Sequence, residues 1–262
     1  MNIHLTVSCE YPFTGGIKNL MHQTRPKIYQ TRPKIWIIVF IAIIIVVGVW
    51  MTANKKLHKD DNIYHLDFFE IDNEELENLD NISDNIRIIK EIIIDQKCSA
   101  FIFTDNENGE YKGAFGSNGE SYYIGQVSME NTSADLMGIK EVQVFGKRAV
   151  KFYGVLGANY AQAFYWFYEE NIEDSIIRID GNTIEIDLDD DDRNEIIATM
   201  GTIPETSIYK MKEAKILVSN INKSIHAKSV SLTDDSSNLF EVYFEANKPE
   251  LFEYRDDVLI KK

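Results

Sequence analysis

Between Ile184 and Thr199 the chain reads IEIDLDDDDRNEIIAT, which places Asp187, Asp189, Asp191 and Glu195 at relative positions 1, 3, 5 and 9. Alternate residues of a tight loop can turn their carboxylates toward one centre, and a hard cation such as Ca²⁺ gathers six to eight oxygens. The backbone carbonyl of Arg193, at position 7, supplies another oxygen, and water completes the shell. Asp190 and Asp192 are expected to point outward. So many acids in one short loop repel one another, so folding and cation binding are expected to be coupled. The expected site is therefore a calcium loop built from Asp187, Asp189, Asp191, Arg193 and Glu195.

Other constellations carry less chemistry. His4, His22, His58, His65 and His226 show no metal-pair spacing. GAFGSNG, residues 113–119, repeats glycine without a helix start to receive a phosphate, and is expected to be a turn. Asp105-Asn106-Glu107-Asn108-Gly109 begins with the acidic rhythm but has Gly113 at the ninth position, so it is expected to be a hairpin turn. The aromatic run Phe164–Tyr168 fits alternating burial in a strand.

The elements that must hold the acidic loop are strands. Ile184–Ile186 and Ile196–Ala198 flank it as two short apolar segments. Strand-like runs surround it at Ala163–Tyr168, Ser175–Ile179, Thr183–Ile186, Glu195–Thr199, Ser207–Met211, Lys215–Ser219, Lys228–Leu232, Leu239–Phe244 and Val258–Ile260. Turn residues separate them every 8–12 residues, the pattern of a sandwich, barrel or propeller-like stack. EVQVFGKRAVKFYGVLG alternates apolar residues around Gly146, and the sequence from Ala100 to Met129 reads as a meander. Ahead of these, Leu76, Leu79, Ile82, Ile86 and Ile89 recur at three and four residues, which predicts an amphipathic helix within Asn73–Ile94. The predicted fold is mainly β: an antiparallel domain over 73–262, propeller-like or a sandwich, with a short helical segment at its start.

The acidic loop resembles the calcium loops of FG-GAP-type β-propeller repeats, where D-x-D-x-D-G-x-x-D/E lies between two strands of a blade. Asp187, Asp189, Asp191, Arg193 through its backbone, and Glu195 match that pattern. Asp192 stands where those repeats carry glycine, at a turn that needs φ > 0, and Asp tolerates this region better than most residues. The resemblance implies a calcium site, and a weak one with Kd about 10⁻⁴–10⁻³ M suffices outside a cell. The segments VKFYGVLGANYAQAFYWF, IRIDGNTIEIDLDDDDRNEII and FEVYFEANKPELF are also similar to uncharacterised membrane-anchored envelope proteins of Gram-positive bacilli, which implies a location and a fold style but no activity.

Charge divides the chain. Residues 1–56 hold seven Lys/Arg and one acid, Glu10, whereas residues 57–262 hold 20 basic and 41 acidic side chains. The dividing feature is the uncharged run from Ile35, which reaches Asn54 and is apolar as far as Met51. At 1.5 Å per residue it covers roughly 25–30 Å, the thickness of a bilayer core. Trp36 and Trp50 lie near its ends, at headgroup level. Neither a cut after Ala53 nor one after Thr52 has small residues at both key positions, so residues 35–54 are expected to be an uncleaved signal anchor. Residues 1–34 are a basic tail, with Met21 as an alternative start, and residues 55–72 a linker.

QTRPKIYQTRPKIW doubles a basic heptad ahead of the span and contributes Arg25, Lys27, Arg32 and Lys34 to its flank. The flank places the N-terminus in the cytoplasm and the C-terminal domain outside, in a single-pass cell-membrane protein. Cys9 and Cys98 then lie on opposite sides of the membrane, and the outer domain has no disulfide framework, which fits a bacterial cell envelope. An outer domain this acidic repels nucleic acid.

These features together predict a non-catalytic, membrane-anchored extracytoplasmic binding protein with a calcium-stabilised β domain and a protein or cell-wall polymer as ligand. The alternatives are an anchored cell-wall hydrolase working through carboxylates and a single-span sensor.

Overall fold

The structure, a computed structural model, describes residues 62–71, 74, 76–78, 86–105, 110–129, 131–171 and 175–262. The basic tail, the doubled heptad and the expected span at 35–54 lie outside them. Among the described residues no helix is long and apolar enough to cross a membrane.

Almost all of the regular structure described is strand. Three short strands come first: β1 (Ile63–His65), β2 (Phe69–Glu70) and β3 (Glu77–Asn78). Four antiparallel meanders then follow in chain order. The first comprises β4 (Arg87–Ile93), β5 (Cys98–Thr104), β6 (Glu110–Ser117) and β7 (Glu120–Met129). In the second are β8 (Gly138–Val144), β9 (Lys147–Gly157), β10 (Tyr160–Trp166) and β11 (Ile176–Asp180). The third is formed by β12 (Asn182–Ile186), β13 (Glu195–Met200), β14 (Glu205–Lys212) and β15 (Lys215–Asn220). After a one-turn helix, α1 (Ile221–Ile225), the fourth is β16 (Ser229–Leu232), β17 (Leu239–Glu245), β18 (Lys248–Arg255) and β19 (Val258–Lys261).

Strand periodicity explains how four sheets share three cores. Successive side chains on a strand face opposite ways. On β10, Phe164 and Trp166 pack with Phe115 and Ile102 of the first sheet. Ala163 and Tyr165, between them in sequence, pack with Ile196 and Ala198 of the third. β13 repeats the pattern: Ile196 and Ala198 face the second sheet, while Ile197 joins Phe240, Val242 and Phe252 of the fourth. The inner sheets are thus buried on both faces, and their strands read as continuous apolar runs (AFYW, IIA). Each fully buried phenylalanine contributes roughly 1.5–3 kcal/mol by area removed from water.

The first three strands run the other way. β1 completes the fourth sheet against β19, with Ile63 opposite Ile260. β2 adds to the third beside β15. The Glu74 N–H donates to the Ile176 carbonyl at the start of β11. β3 then pairs with β7 of the first sheet. One short segment therefore touches all four sheets, last to first.

Three expectations change. The helix within Asn73–Ile94 is not formed by the described residues there, which make β3 and β4. In RIIKEII β-branched isoleucines favour the pleated surface, and pairing with β5 decides the outcome. The stretch taken as linker, 55–72, contains β1 and β2, so the folded domain already includes Ile63. Gly113 and Gly116 lie within β6 rather than in a turn, and the reversal is at Asn118–Gly119, both with positive φ. Two elements had no signal in the pattern. β18 contains Pro249, accommodated beside a register shift between Tyr243 and Glu245. Helix α1 is a single turn capped by the Asn220 side chain.

Candidate metal centre

The acidic loop is the connection between β12 and β13, whose pairing ends with Ile186 opposite Glu195. Its backbone is shaped by its own carboxylates. Asp187 Oδ1 accepts the Asp191 N–H at 3.1 Å, and Oδ2 accepts the Asp192 N–H at 2.9 Å. Asp192 takes the left-handed conformation expected where glycine usually stands, with φ 64°, and Asp190 does the same at φ 60°. Asp is among the few residues that visit this region readily.

The loop is also tied to the second sheet. Asn194 receives the Phe145 N–H on its carbonyl at 2.8 Å, and its side-chain amide donates to the Gln143 carbonyl at 3.0 Å. The Arg193 side chain passes over Gly146, where an added Cβ would lie 3.1 Å from its Cδ. Gly146 itself has φ 72°.

Three of the expected residues converge. Asp187, Asp189 and Glu195 each offer a carboxylate oxygen, and these atoms all lie within 4.8 Å of one another. Asp189 Oδ1 is buried and has no hydrogen-bond partner. Glu195 is 5% exposed, and its Oε2 accepts the Leu188 N–H at 3.0 Å. Burial pushes the Glu195 carboxyl up to about 7, helped by the charges of Asp189, Asp191 and Asp187 and opposed by the Leu188 hydrogen bond. Asp189 is raised too, by burial first and then by Asp191 and Asp187. Such a triad lacks positive charge at its centre, and its oxygen donors suit a hard divalent cation.

The Asp191 carboxylate is placed differently. Asp191 Oδ1 accepts the Arg193 N–H at 2.9 Å, and Oδ2 meets the Arg193 guanidinium at 2.8 Å. The Asp191 carboxylate is therefore bound to Arg193 through both oxygens and is not one of the three that converge.

Residues from distant strands complete the surroundings. Lys210 of β14 pairs with Asp257 in the β18–β19 turn and lies 4.3 Å from the Phe68 ring centroid. Burial lowers its ammonium, while Asp189, Glu195 and Asp256 pull the other way. The Tyr254 hydroxyl donates to Asp257 Oδ1 at 3.1 Å. No local spacing announces Lys210, Tyr254 or Asp257, because sheet packing alone brings them to the loop. On its outer side the loop borders a polar groove of about 520 Å³, where Asp187 and Asp190 face Ser236, Asn238, Glu253 and Lys262.

Compared with protein-family models, curated proteins and solved structures, the chain matches none of them.

Proposed function

We propose that the chain is a non-catalytic, membrane-anchored extracytoplasmic binding protein whose β domain is stabilised by Ca²⁺ at the β12–β13 loop. The observation that carries the metal reading is the buried, unpartnered Asp189 Oδ1 beside Asp187 and Glu195. A buried carboxylate oxygen without a partner is costly, and a cation at the centre of the triad would satisfy it. Asp187, Asp189 and Glu195 would be the side-chain ligands, with Asp191 and the Arg193 carbonyl joining if the Asp191–Arg193 pair opens. The metal's role would be structural, fixing the loop that links the second, third and fourth sheets.

The anchor would be the apolar run 35–54, with the basic flank inside and the acidic domain outside. What supports a propeller-like arrangement over a two-sheet sandwich is the burial of the inner sheets on both faces. The groove beside the loop, rich in hydroxyl, amide and carboxylate groups, suits a hydroxylated wall polymer better than an apolar peptide.

The test is thermal unfolding of the full-length protein in detergent, with chelator and with millimolar Ca²⁺. Calcium is expected to raise Tm by several degrees in the wild type, with no rise in Asp189→Asn. Equal melting temperatures in the wild type would end the calcium reading.

A further inference from the structure

One sheet edge lacks the strand that its three counterparts have. Beyond the last strand of three of the meanders lies a strand of the N-terminal segment: β3 beside β7, β2 beside β15 and β1 beside β19. The second meander ends at β11, and among the described residues no strand pairs on its far side. The N-terminal segment passes this edge with one backbone hydrogen bond, from the Glu74 N–H to the Ile176 carbonyl at 3.1 Å.

Pairing with β10 fixes which backbone groups of β11 point outward. The Ser175 carbonyl accepts the Phe167 N–H at 2.6 Å, and the Gly181 N–H donates to the Ala161 carbonyl at 2.7 Å. Bonded positions alternate in an antiparallel ladder. Ile177 and Ile179 therefore bond to β10, while Ile176, Arg178 and Asp180 turn their N–H and C=O groups outward. Glu74 takes the Ile176 carbonyl. Those of Arg178 and Asp180 have no backbone partner among the described residues, which leaves two donors and two acceptors in strand spacing. The buried side chains of Ile176, Ile177 and Ile179 hold the strand in place.

The charge at this edge is negative. The Arg178 side chain, 45% exposed, lies 3.6 Å from Glu74 and 3.9 Å from Asp180, each 41% exposed. One guanidinium thus faces two carboxylates. The bordering segment adds no cation of its own: residues 66–86 hold eight Asp/Glu and no Lys or Arg. Basic side chains of an occupant would meet carboxylates here, and acidic ones would be repelled. A second copy of this chain would bring the same acidic segment with it.

We propose that the β11 edge docks an extended, basic segment of a partner protein, which adds to the second sheet as its fifth strand. Antiparallel addition exchanges four hydrogen bonds with Arg178 and Asp180, and alternate side chains of the segment fall on the face of those two residues. The proposal is independent of calcium at the acidic loop.

The probe is a labelled peptide of sequence valine-lysine-valine-threonine-valine-lysine-valine, titrated against the full-length protein in neutral detergent by fluorescence anisotropy. With its threonine opposite Arg178, the lysines reach Asp180 on one side and Glu74 on the other. Saturable binding is expected. N-methylation of the lysine and threonine amides removes the N–H groups that face β11 but keeps the charge, and should weaken binding at least about tenfold. Glutamate in place of both lysines should weaken it as much. Arg178→Pro removes one outward N–H and leaves the β10 pairing intact. It also makes the edge more acidic, so charge alone predicts tighter binding, whereas strand addition predicts binding at least about fivefold weaker. If that variant fails to fold, the N-methylated peptide decides. The proposal is overturned if the probe shows no saturable binding, if either altered peptide binds as tightly as the parent, or if folded Arg178→Pro binds as tightly as the wild type. It is also overturned if the free protein self-associates and Arg178→Pro makes it monomeric, since a second copy would then be the occupant.

Discussion

The ammonium of Lys151 on β9 and the carboxylate of Glu185 on β12 meet at 2.7 Å with their side chains only 5% and 10% exposed, so a buried ion pair joins the second sheet to the third. Removing one member leaves the other charged and desolvated. Glu185→Ala is therefore expected to lose about 3–5 kcal/mol. The double variant Lys151→Met/Glu185→Leu, which replaces both charges with apolar groups, should recover most of that loss. Urea unfolding of the two variants checks this. Equal losses would mean that the packing of these side chains, rather than unpaired charge, sets the cost.

The Glu195 carboxyl gives the metal-free protein an unusual pH dependence. It holds its proton up to about 7 in the fold, and loses it near the ordinary 4.5 when unfolded. Between these values the folded state binds more protons. The contribution is full below 4.5 and is lost as pH rises through about 7. Asp189, raised by burial, acts in the same direction. In chelator, Tm should fall across this window, and Glu195→Gln should flatten the fall. Calcium requires the ionised carboxylate, so its affinity should be about tenfold weaker at pH 6 than at pH 8. Titrations at the two pH values would expose the error if the affinities coincide.

Asp191 and Arg193 are a competing pair. Their side chains are 36% and 58% exposed, so breaking the bridge costs at most about 1 kcal/mol after solvent screening. Arg193→Ala frees a fourth carboxylate and removes a neighbouring cation. Calcium should then bind roughly three- to tenfold more tightly, since ligand charge count tunes such sites. A fluorescent calcium-indicator competition would measure it, and weaker binding in the variant would contradict the placement of Asp191.

Two glycines of β9 make a matched pair. A Cβ on Gly154 would lie 2.3 Å from the Val127 carbonyl oxygen and 2.8 Å from Ser128 Cβ, whereas one on Gly157 meets nothing within 4 Å. Gly154→Ala should cost about 1–3 kcal/mol by forcing the first and second sheets apart. Gly157→Ala should stay within about 0.5 kcal/mol of wild type. Denaturant midpoints of the two variants test whether the sheets approach this closely.

Where the sequence was legible, neighbouring residues interact with one another. The β12 and β13 flanks, the Gly146 turn and the convergence of Asp187, Asp189 and Glu195 all follow from local alternation and spacing. The helix expected within Asn73–Ile94 was misjudged at its end for the opposite reason: its apolar spacing fits a helix, yet Arg87–Ile93 finds its partner on β5, while Leu79 and Ile82 lie outside the described residues. β1 and β2 could not be read at all, because segments of three and two residues become strands only when β19 and β15 offer open edges. Lys210 reaches the acidic loop from β14 and Asp257 from the β18–β19 turn, and Lys151 reaches Glu185 from another sheet in the same way. The Asp191–Arg193 bridge was missed because a regular ligand rhythm concealed a local charge pair.

The pairing of Ile63 with Ile260 has a consequence for how the molecule is made. A ribosome delivers β1 first and β19 last, so the earliest strand of the domain waits through the whole of its synthesis for a partner. Contacts so distant in the chain slow folding. They also make completion of the fourth sheet a checkpoint on translation: a chain cut short before Val258 leaves β1 without its partner, and that unpaired strand is open to a protease.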